Sequence, residues 1–415
     1  MKVCLITEFF YPDNTGSSPT LLSNLVRELR SNYDIKFDVI TSRSLYREGN
    51  IKLPKFEEWE GSRIVRVNTP PSNRMRGPAR PLAGLLFAAA ALRAMKQQKE
   101  AFDVVLVTSN PPAAPYAADV FQRRYGTPYA YLIHDLYPDI AVGLGALKYG
   151  SIPDRLARYY QRKWLQNASV VILTGRSVRD HIAIKYGIAT DRLTVIPLWA
   201  DDGILNADQT SRKFLDEYAK GRFVAMYFGT IGPLQSVGIV VDAAKLLQDS
   251  HPDILFVIIG TGEKAPEIEK RLREEQIRNV MFVPKVQSGN IADLLASADV
   301  SLVTVAPGMD LLCTPIKFYN ILASRRPVIA TVTENSEIGQ VISETKCGLV
   351  VDPCNAVEMA DAIVRLASNK ALAEQMGKNG YKAACKQFLL PQVARHYYEV
   401  LARIVSFADN DVRAR

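Results

Sequence analysis

A lysine stands three residues after a threonine in Thr314–Ala323, which reads Thr-Pro-Ile-Lys-Phe-Tyr-Asn-Ile-Leu-Ala. We expect Thr314 to cap a helix and Pro315 to take its first position, because those positions favour these residue types. The free N–H groups of a first helical turn carry partial positive charge, and Lys317 would add a full charge. Asn320 would share the face of Lys317, since the two are three residues apart. The pattern predicts a phosphate-binding helix start.

Two glycine-bearing turns precede this segment, each after an apolar run typical of a buried strand. Gly229-Thr230-Ile231-Gly232 follows Tyr227-Phe228, and Gly260-Thr261-Gly262 follows the run that ends at Ile259. Glycine permits a tight turn and a close approach of the backbone to a phosphate. Either turn could instead serve only the geometry of a strand-to-helix connection.

Two segments of the first half are also candidates to bind a ligand. His134 and Asp135 follow an apolar strand, and an imidazole and a carboxylate at that place can exchange hydrogen bonds with hydroxyl groups. Gly16 and Ser17 join the opening strand to a helix, where their backbone could face a phosphate from the acceptor side. The segment Asn14-Thr15-Gly16 could equally be an ordinary turn.

Short apolar runs alternate with amphipathic helical patterns along the whole chain, which predicts an α/β protein with two doubly wound, Rossmann-like domains. We place the first domain at 1–200, a polar linker at 201–221 and the second domain at 222–390. Ligands bind at the carboxyl ends of the strands in such sheets. The predicted strands are Val3–Thr7, Phe37–Thr41, Ile64–Val67, Val104–Thr108, Tyr129–Ile133, Val170–Leu173, Leu193–Ile196, Phe223–Phe228, Ile254–Ile259, Val280–Val283, Val300–Val305, Val328–Ala330 and Leu349–Val351.

The composition is that of a globular protein, with 415 residues of which 48% are hydrophobic. The five cysteines have neither metal-ligand nor disulfide spacing, so we expect a reduced, cytoplasmic protein. Met1–Thr7 predicts a strand rather than a signal peptide. The longest uncharged apolar run, Leu82–Leu92, is shorter than the roughly 20 residues that a transmembrane helix needs.

Positive charge is concentrated in the first half. Residues 1–200 hold 27 lysines and arginines against 17 acidic residues, whereas residues 201–415 hold 24 against 26. This asymmetry indicates either attraction to an anionic membrane surface or a merely solvated basic face. The arginines of Asn73–Arg80 and the helix Leu82–Met95 could rest on a bilayer, or that helix could pack on its own sheet.

These motifs occur in the order found in family 4 (group 1) glycosyltransferases, which are retaining enzymes of the GT-B fold. The Lys317 segment is similar to the Pro-Ser-Lys-Leu-Phe-Glu-Tyr-Met-Ala segment of the colanic-acid and lipopolysaccharide sugar-transferase branch. Thr108-Ser109-Asn110-Pro111-Pro112 and Cys347-Gly348-Leu349-Val350-Val351 extend the resemblance over essentially the whole chain. The resemblance implies two Rossmann-like domains that face a central cleft, and a C-terminal helix at about 391–407 that returns to the first domain.

The resemblance also implies an activity. A hexosyl or N-acetylhexosaminyl group would move from a nucleotide-diphosphate sugar, with a uridine-linked donor expected, to a hydroxyl of a lipid-linked or growing glycan in cell-surface polysaccharide biosynthesis. A donor phosphate oxygen would deprotonate the acceptor, so neither a protein nucleophile nor a cofactor is expected. His134 and Asp135 would position the substrates, and Lys317 would stabilise the leaving diphosphate. Nucleic acid is not an expected partner.

The donor site is implied position by position. The family's arginine and lysine in the first glycine turn are replaced here by Thr230 and Gln235, as they often are in the branch named above. The remaining expected donor contacts are the turn at Gly260 and Gly262, the backbone at Pro284 beside the base, the loop with Met309 and Asp310 beside the sugar, and Pro315.

Two departures from the family leave other functions open. The family's two glutamates, eight residues apart, are Leu312 and Asn320 here, and a neutral amide bonds ribose hydroxyls about half as strongly as a carboxylate would. Asp310 is the nearest carboxylate that could take over a polar role. The alternatives are a catalytically silent GT-B subunit or binding protein and, disfavoured by the motif order, a sugar-nucleotide epimerase.

No metal site is expected from the sequence. Asp409-Asn410-Asp411 fits the Asp-x-Asp pattern of metal-dependent transferases, but it falls in what we take as a polar tail. GT-B enzymes, by resemblance, offset the charge of the leaving diphosphate with helix dipoles and cationic side chains instead.

Overall fold

A computed structural model of the chain describes residues 1–13, 17–46, 52–72, 75, 77, 79–98, 101–207, 219–284 and 291–413. The chain forms two compact units, of which the first is Met1–Pro197 with Pro391–Arg415 and the second is Leu198–Leu390. The described residues of the predicted linker, 201–207 and 219–221, belong to the second unit. Asn14, Thr15, Gly16 and Lys285, and four of the eight residues 73–80, lie outside the described residues.

The first unit is built on an eight-stranded sheet of order β3-β4-β2-β1-β5-β6-β7-β8. All neighbouring strands are parallel except β3 and β4, which are antiparallel. The strands are β1 Lys2–Ile6, β2 Lys36–Ser42, β3 Phe56–Trp59, β4 Ser62–Val67, β5 Val104–Thr108, β6 Tyr129–Ile133, β7 Val170–Leu173 and β8 Leu193–Val195.

Seven helices of the described part of the chain accompany this sheet. They are α1 Ser17–Asn32, α2 Ala79–Lys96, α3 Pro115–Tyr125, α4 Asp139–Gly143, α5 Ile152–Asn167 and α6 Arg176–Tyr186, together with the last helix of the chain, Leu390–Arg413. That last helix packs on the first unit, where Tyr398 stacks on Tyr33 with ring centroids 4.4 Å apart.

The second unit is built on a parallel six-stranded sheet of order β11-β10-β9-β12-β13-β14. Its strands are β9 Phe223–Phe228, β10 Ile254–Ile259, β11 Val280–Val283, β12 Val300–Thr304, β13 Val328–Thr331 and β14 Gly348–Val351. Its described helices are α7 Asp202–Leu205, α8 Gly238–Leu247, α9 Ala265–Glu274, α10 Ile291–Ala296, α11 Lys317–Ala323, α12 Glu337–Thr345, α13 Ala356–Ser368 and α14 Lys370–Gln387, which makes the last helix α15.

The predicted α/β class with two doubly wound sheets is confirmed, and one strand was missed. β3 reads Phe-Glu-Glu-Trp and has only one buried side chain, Trp59, while Phe56 is 62% exposed. An edge strand pairs on one side only, so it needs no apolar run and gives a weak signal. Asp409-Asn410-Asp411 lies within α15 rather than in a tail, which corrects the prediction.

Among the parallel strands, the sequence order reverses at one place in each sheet, and this marks where a ligand site is expected. The reversal lies between β1 and β5 in the first sheet and between β9 and β12 in the second. No described helix is both long enough and apolar enough to cross a membrane. Within the same residues, no group of histidines, cysteines and acidic side chains is placed to hold a metal ion.

Candidate functional site

The two glycine turns of the second unit lie side by side at the carboxyl ends of β9 and β10. Phe228 pairs with Ile259 in the sheet, and this register places Gly229 next to Gly260. A Cβ atom on Gly260 would lie 1.8 Å from the carbonyl oxygen of Gly229. Further along, the Ile231 N–H donates to the Thr261 carbonyl at 2.9 Å. The turns therefore form one layer of backbone that only glycine at 260 permits.

Replacing Gly260 with alanine is expected to destabilise the second unit by about 3 kcal/mol, because the added methyl group forces two backbones apart. The matched control is Gly221→Ala, since Gly221 also has a positive φ, of 80°, but no atom lies within 4 Å of the place that its methyl group would take. That change should cost only about 1 kcal/mol. Urea unfolding of both variants measures the difference, and equal losses would contradict the close approach.

Lys317 lies above these turns at the start of α11. Its ammonium donates to the hydroxyl of Tyr227 at 2.8 Å and lies 3.9 Å from the centroid of that ring. The same ammonium is 3.2 Å from the place where a Cβ atom on Gly229 would be. Burial lowers the pKa of Lys317 to about 7. Within the described part of the chain no carboxylate pairs with this ammonium, so its charge is left available to an anion at the turns.

Tyr227 connects Lys317 to the first glycine turn. Its hydroxyl donates to the carbonyl oxygen of Thr230 at 2.6 Å, and burial raises the pKa of this phenol. The hydroxyl of Thr304 donates to the carbonyl of Gln235, whose own side-chain oxygen accepts from the Gly232 N–H at 3.2 Å. Thr230 and Gln235, which replace the family's two cations, are thus held through their backbone carbonyls. Lys317 is hydrogen-bonded to the same network.

The prediction that Thr314 caps the lysine helix is wrong. The helix begins at Lys317, and the residue before it, Ile316, makes no capping hydrogen bond from its side chain. The hydroxyl of Thr314 is buried and has no hydrogen-bond partner among the described residues. Pro315 precedes the helix rather than opening it, and its carbonyl accepts from the Phe318 N–H at 3.2 Å. This tight turn displaces the helix start toward the lysine.

Asn320, which stands where the family has its second glutamate, already has a hydrogen-bond partner within the second unit. Its side-chain oxygen accepts from the Asp201 N–H at 3.0 Å. Asp201 in turn caps α7, because its carboxylate accepts from the Gly203 N–H at 2.8 Å. An uncharged side chain therefore fastens the segment before α7 to the lysine helix.

The loop after β12 is fixed by its own aspartate. The Asp310 carboxylate is buried, and one of its oxygens accepts from the Thr333 N–H at 2.7 Å and from the Thr333 hydroxyl at 2.6 Å. Met309 is also buried, and its carbonyl accepts from the Cys313 thiol at 3.4 Å. Asp310 thus ties this loop to the loop after β13. Gly262 lies in the second glycine turn, and Pro284 directly follows β11.

In the first unit, His134 and Asp135 follow β6 at the carboxyl edge of the sheet. The backbone N–H groups of both residues donate to the hydroxyl of Ser109, at 3.2 and 3.3 Å. Burial lowers the pKa of His134 to about 4, so its imidazole is neutral at physiological pH. Burial raises the pKa of Asp135, and the charge of Arg80 partly offsets that rise. Ser17 begins α1, and Gly16 before it lies outside the described residues.

Sequence reasoning missed a polar group around this strand end. Glu8, at the end of β1, is fully buried, and its carboxylate accepts from both the N–H and the hydroxyl of Ser72. Arg80 hydrogen-bonds Tyr137, and burial together with the charge of Asp135 raises the pKa of that tyrosine to about 12. A charged residue directly after an apolar strand was the signal that could have singled out Glu8.

Sequence models of two protein families match the chain. Residues 16–199 match the glycosyl transferase 4-like domain, and residues 209–383 match the glycosyl transferases group 1. The chain belongs to the group 1 glycosyltransferases. It is 27% identical over 297 residues to the probable glycosyltransferase WbjE of Pseudomonas aeruginosa, an alignment that covers 71% of this chain and 73% of the relative.

Solved structures share the fold of this glycosyltransferase. Sucrose-phosphate synthase from Thermosynechococcus elongatus aligns over 98% of this chain and 99% of its own, with a TM-score of 0.78 and 16% identity. Alr3699/HepE of Anabaena, solved in complex with UDP-glucose, aligns over 97% of this chain and all of its own, with a TM-score of 0.71 and 14% identity. These likenesses confirm the GT-B fold class.

Proposed function

We propose that this glycosyltransferase moves a sugar from a uridine-diphosphate sugar to a hydroxyl of a lipid-linked or growing glycan in cell-surface polysaccharide biosynthesis, with retention at the anomeric carbon. The observation that carries the proposal is the Lys317 ammonium, hydrogen-bonded to Tyr227 at 2.8 Å above the glycine turns. A diphosphate is the ligand that suits a buried cation beside closely approaching backbone. The choice of uridine is supported by the complex of HepE with UDP-glucose.

The donor would lie against the turns of the second unit. Lys317 would neutralise the leaving diphosphate, and the backbone of Gly229 and Gly260 would lie closest to its oxygens. We assign the base to the backbone at Pro284 and the sugar to the loop of Met309 and Asp310. Further donor contacts would come from Thr230, Gln235, Gly262, Pro315 and Asn320.

The acceptor would lie against the first unit. His134 is neutral at physiological pH because its pKa is about 4. Its imidazole would therefore exchange a hydrogen bond with a sugar hydroxyl, as donor or acceptor, rather than attract an anion. Asp135 would orient the acceptor, and the backbone at Gly16 and Ser17 would face a phosphate. A donor phosphate oxygen would take the acceptor proton, so no protein nucleophile is required.

We also propose that the first unit contacts the inner face of the cytoplasmic membrane peripherally. The first half of the chain has an excess of positive charge, and α2 exposes Leu82, Leu85 and Leu86, which are 57%, 52% and 47% exposed. Basic residues beside exposed leucines favour the surface of an anionic bilayer.

The test is calorimetric binding of a panel of nucleoside diphosphates and nucleotide sugars, followed by product analysis. We expect a uridine-diphosphate sugar to bind and to release free UDP when a glycan acceptor is added. NMR of the product should show the anomeric configuration of the donor. Binding without any turnover would instead indicate a silent subunit, an epimerised sugar nucleotide would indicate an isomerase, and no binding by any nucleotide would refute the donor site.

A further inference from the structure

A large groove lies in the first unit between the antiparallel strand pair β3 and β4 and the C-terminal half of α2. Its volume is about 1050 Å³, which is enough for several sugar residues. Its floor includes β2 and β4, and its walls include Phe56 of β3 and Arg93 of α2. None of His134, Asp135 and Glu8 lines it. The groove is therefore separate from the polar group at the ends of β1 and β6.

The charge of the groove is strongly unbalanced. Eight lysines and arginines line it against two carboxylates, those of Asp38 and Glu58. Asp38 already pairs with Arg63 at 2.6 Å and with Lys2 at 3.4 Å. The other cations include Lys36 and Arg93, which are exposed and have no carboxylate partner among the described residues. Cations in such proximity repel one another, so an anion bound between them would be stabilised.

One of the eight cations that line the groove, Arg66, is already bonded elsewhere. Arg66 lines the groove although its side chain is fully buried, and its guanidinium pairs with Glu57 at 2.6 Å. A second guanidinium nitrogen donates to the Tyr11 carbonyl at 2.7 Å, which fixes the plane of the group. The remaining nitrogen, Nε, is buried and has no hydrogen-bond partner among the described residues. Because this side chain is fully buried and its partner Glu57 does not line the groove, the cations available to a bound anion are among the other seven.

We propose that this groove binds an acidic oligosaccharide, a glycan segment bearing carboxylate or phosphate groups. The planar guanidinium groups match the two oxygens of a carboxylate, and the amides of Asn68 and Gln97 can bond sugar hydroxyls. The exposed ring of Phe56 gives the rim an apolar face on which a sugar ring can lie. A concave site with mixed amide and guanidinium donors fits a glycan chain better than it fits a flat bilayer.

The inference extends the proposed function, because the acidic segment would belong to the growing glycan on which this transferase acts. It depends on the first unit alone, whereas the donor proposal depends on Lys317 in the second unit. Binding of UDP-glucose and binding of an acidic oligosaccharide can therefore be measured separately on the same preparation of the full chain. Loss of one leaves the other intact, so the two failures are distinguishable.

The experiment is titration of the full chain with a short oligogalacturonate, and with a neutral malto-oligosaccharide of the same length, at about 0.05 M ionic strength. We expect the acidic glycan alone to bind saturably, and to bind more weakly as salt is added. Arg93→Glu and Lys36→Glu should each weaken binding about fivefold, since each change reverses one charge on the groove. Both side chains are exposed, so neither variant should fail to fold.

The matched control is Arg124→Glu, an equally exposed charge reversal at the end of α3 that does not line the groove. We expect it to weaken binding less than twofold. An equal loss in all three variants would mean attraction to net charge and would overturn the proposal. So would the absence of saturable glycan binding, or tighter groove-dependent binding of anionic lipid vesicles or of single-stranded DNA than of the glycan.

Discussion

Replacing Lys317 with alanine is expected to lower turnover of the nucleotide sugar about 100-fold or more, without a comparable loss of folding stability. Removal of one group that stabilises charge in a transition state typically costs about 100- to 1,000-fold. The lysine ammonium lies directly beside the first glycine turn, and Thr230 and Gln235 supply no charge. The measurement is release of UDP from the donor in the presence of acceptor.

The matched control is Lys317→Arg, which keeps a positive charge at this position but does not lose its proton near neutral pH. Because burial lowers the pKa of Lys317 to about 7, the wild-type side chain is cationic below pH 7 and loses its charge as the pH rises. Donor affinity should therefore be full near pH 6 and fall by up to about tenfold per pH unit above 7. Arginine stays charged over that range, so the donor affinity of Lys317→Arg should not depend on pH.

A sugar nucleotide is the right ligand for this comparison, since its diphosphate does not titrate near neutral pH. Calorimetry of UDP-glucose binding at several pH values measures both variants. Unchanged turnover in Lys317→Ala would contradict the role of the lysine. An identical pH profile in Lys317→Arg would show that another group governs the affinity.

Replacing Asp139 with asparagine is expected to destabilise the first unit by about 3 kcal/mol, which corresponds to a melting temperature lower by about 6–12 °C. The Asp139 carboxylate is buried at the start of α4 and accepts from Arg158 at 2.9 Å and Lys185 at 2.5 Å. It also contacts His181 at 3.3 Å and accepts from the Tyr186 hydroxyl. An amide would remove the buried counter-charge of Lys185 and would leave Arg158 with Asp154 alone, whose carboxylate lies 2.8 Å from its Nε.

The pH dependence of this loss follows from the pKa of the Asp139 carboxyl. Burial raises it, but the hydrogen bonds from His181, Lys185, Tyr186 and Arg158 outweigh burial and hold the pKa well below its usual range. The stabilisation is therefore fully present above the unfolded pKa of about 4 and is lost as the pH falls through the folded value. The gap between wild type and Asp139→Asn should narrow below about pH 4.

Asp180→Asn serves as the control for Asp139→Asn. Its carboxylate is 55% exposed and pairs with Arg179 at 2.9 Å, so the change should cost less than about 1 kcal/mol. Thermal unfolding measures both variants near neutral pH and in acid. Equal and small losses would contradict the assignment of Asp139 as the buried counter-charge of α5 and α6.

Strands with long apolar runs were predictable almost to the residue, and the elements around the lysine were not. β5, β6 and β10 are observed at the bounds that the sequence predicts, because a fully buried parallel strand must be apolar throughout. The helix start at Lys317 was displaced by two residues from its prediction. Cap preference is worth only about 1 kcal/mol, so the packing of Thr314 in the interior could override it.

The sequence by itself determined the fold class and the two sheets, and it singled out Lys317, His134 and the glycine turns as candidate site residues. These features can be recognised from apolar periodicity and from residue type, which are local properties of the chain. Only the tertiary structure decided what these residues contact. The register of β9 and β10 brings Gly260 against Gly229, and Lys317 reaches Tyr227, which is 90 residues away in the chain. The hydrogen bond of Asn320, the burial of Glu8 and the basic groove likewise bring together segments that are distant in the chain. No local sequence pattern encodes such contacts.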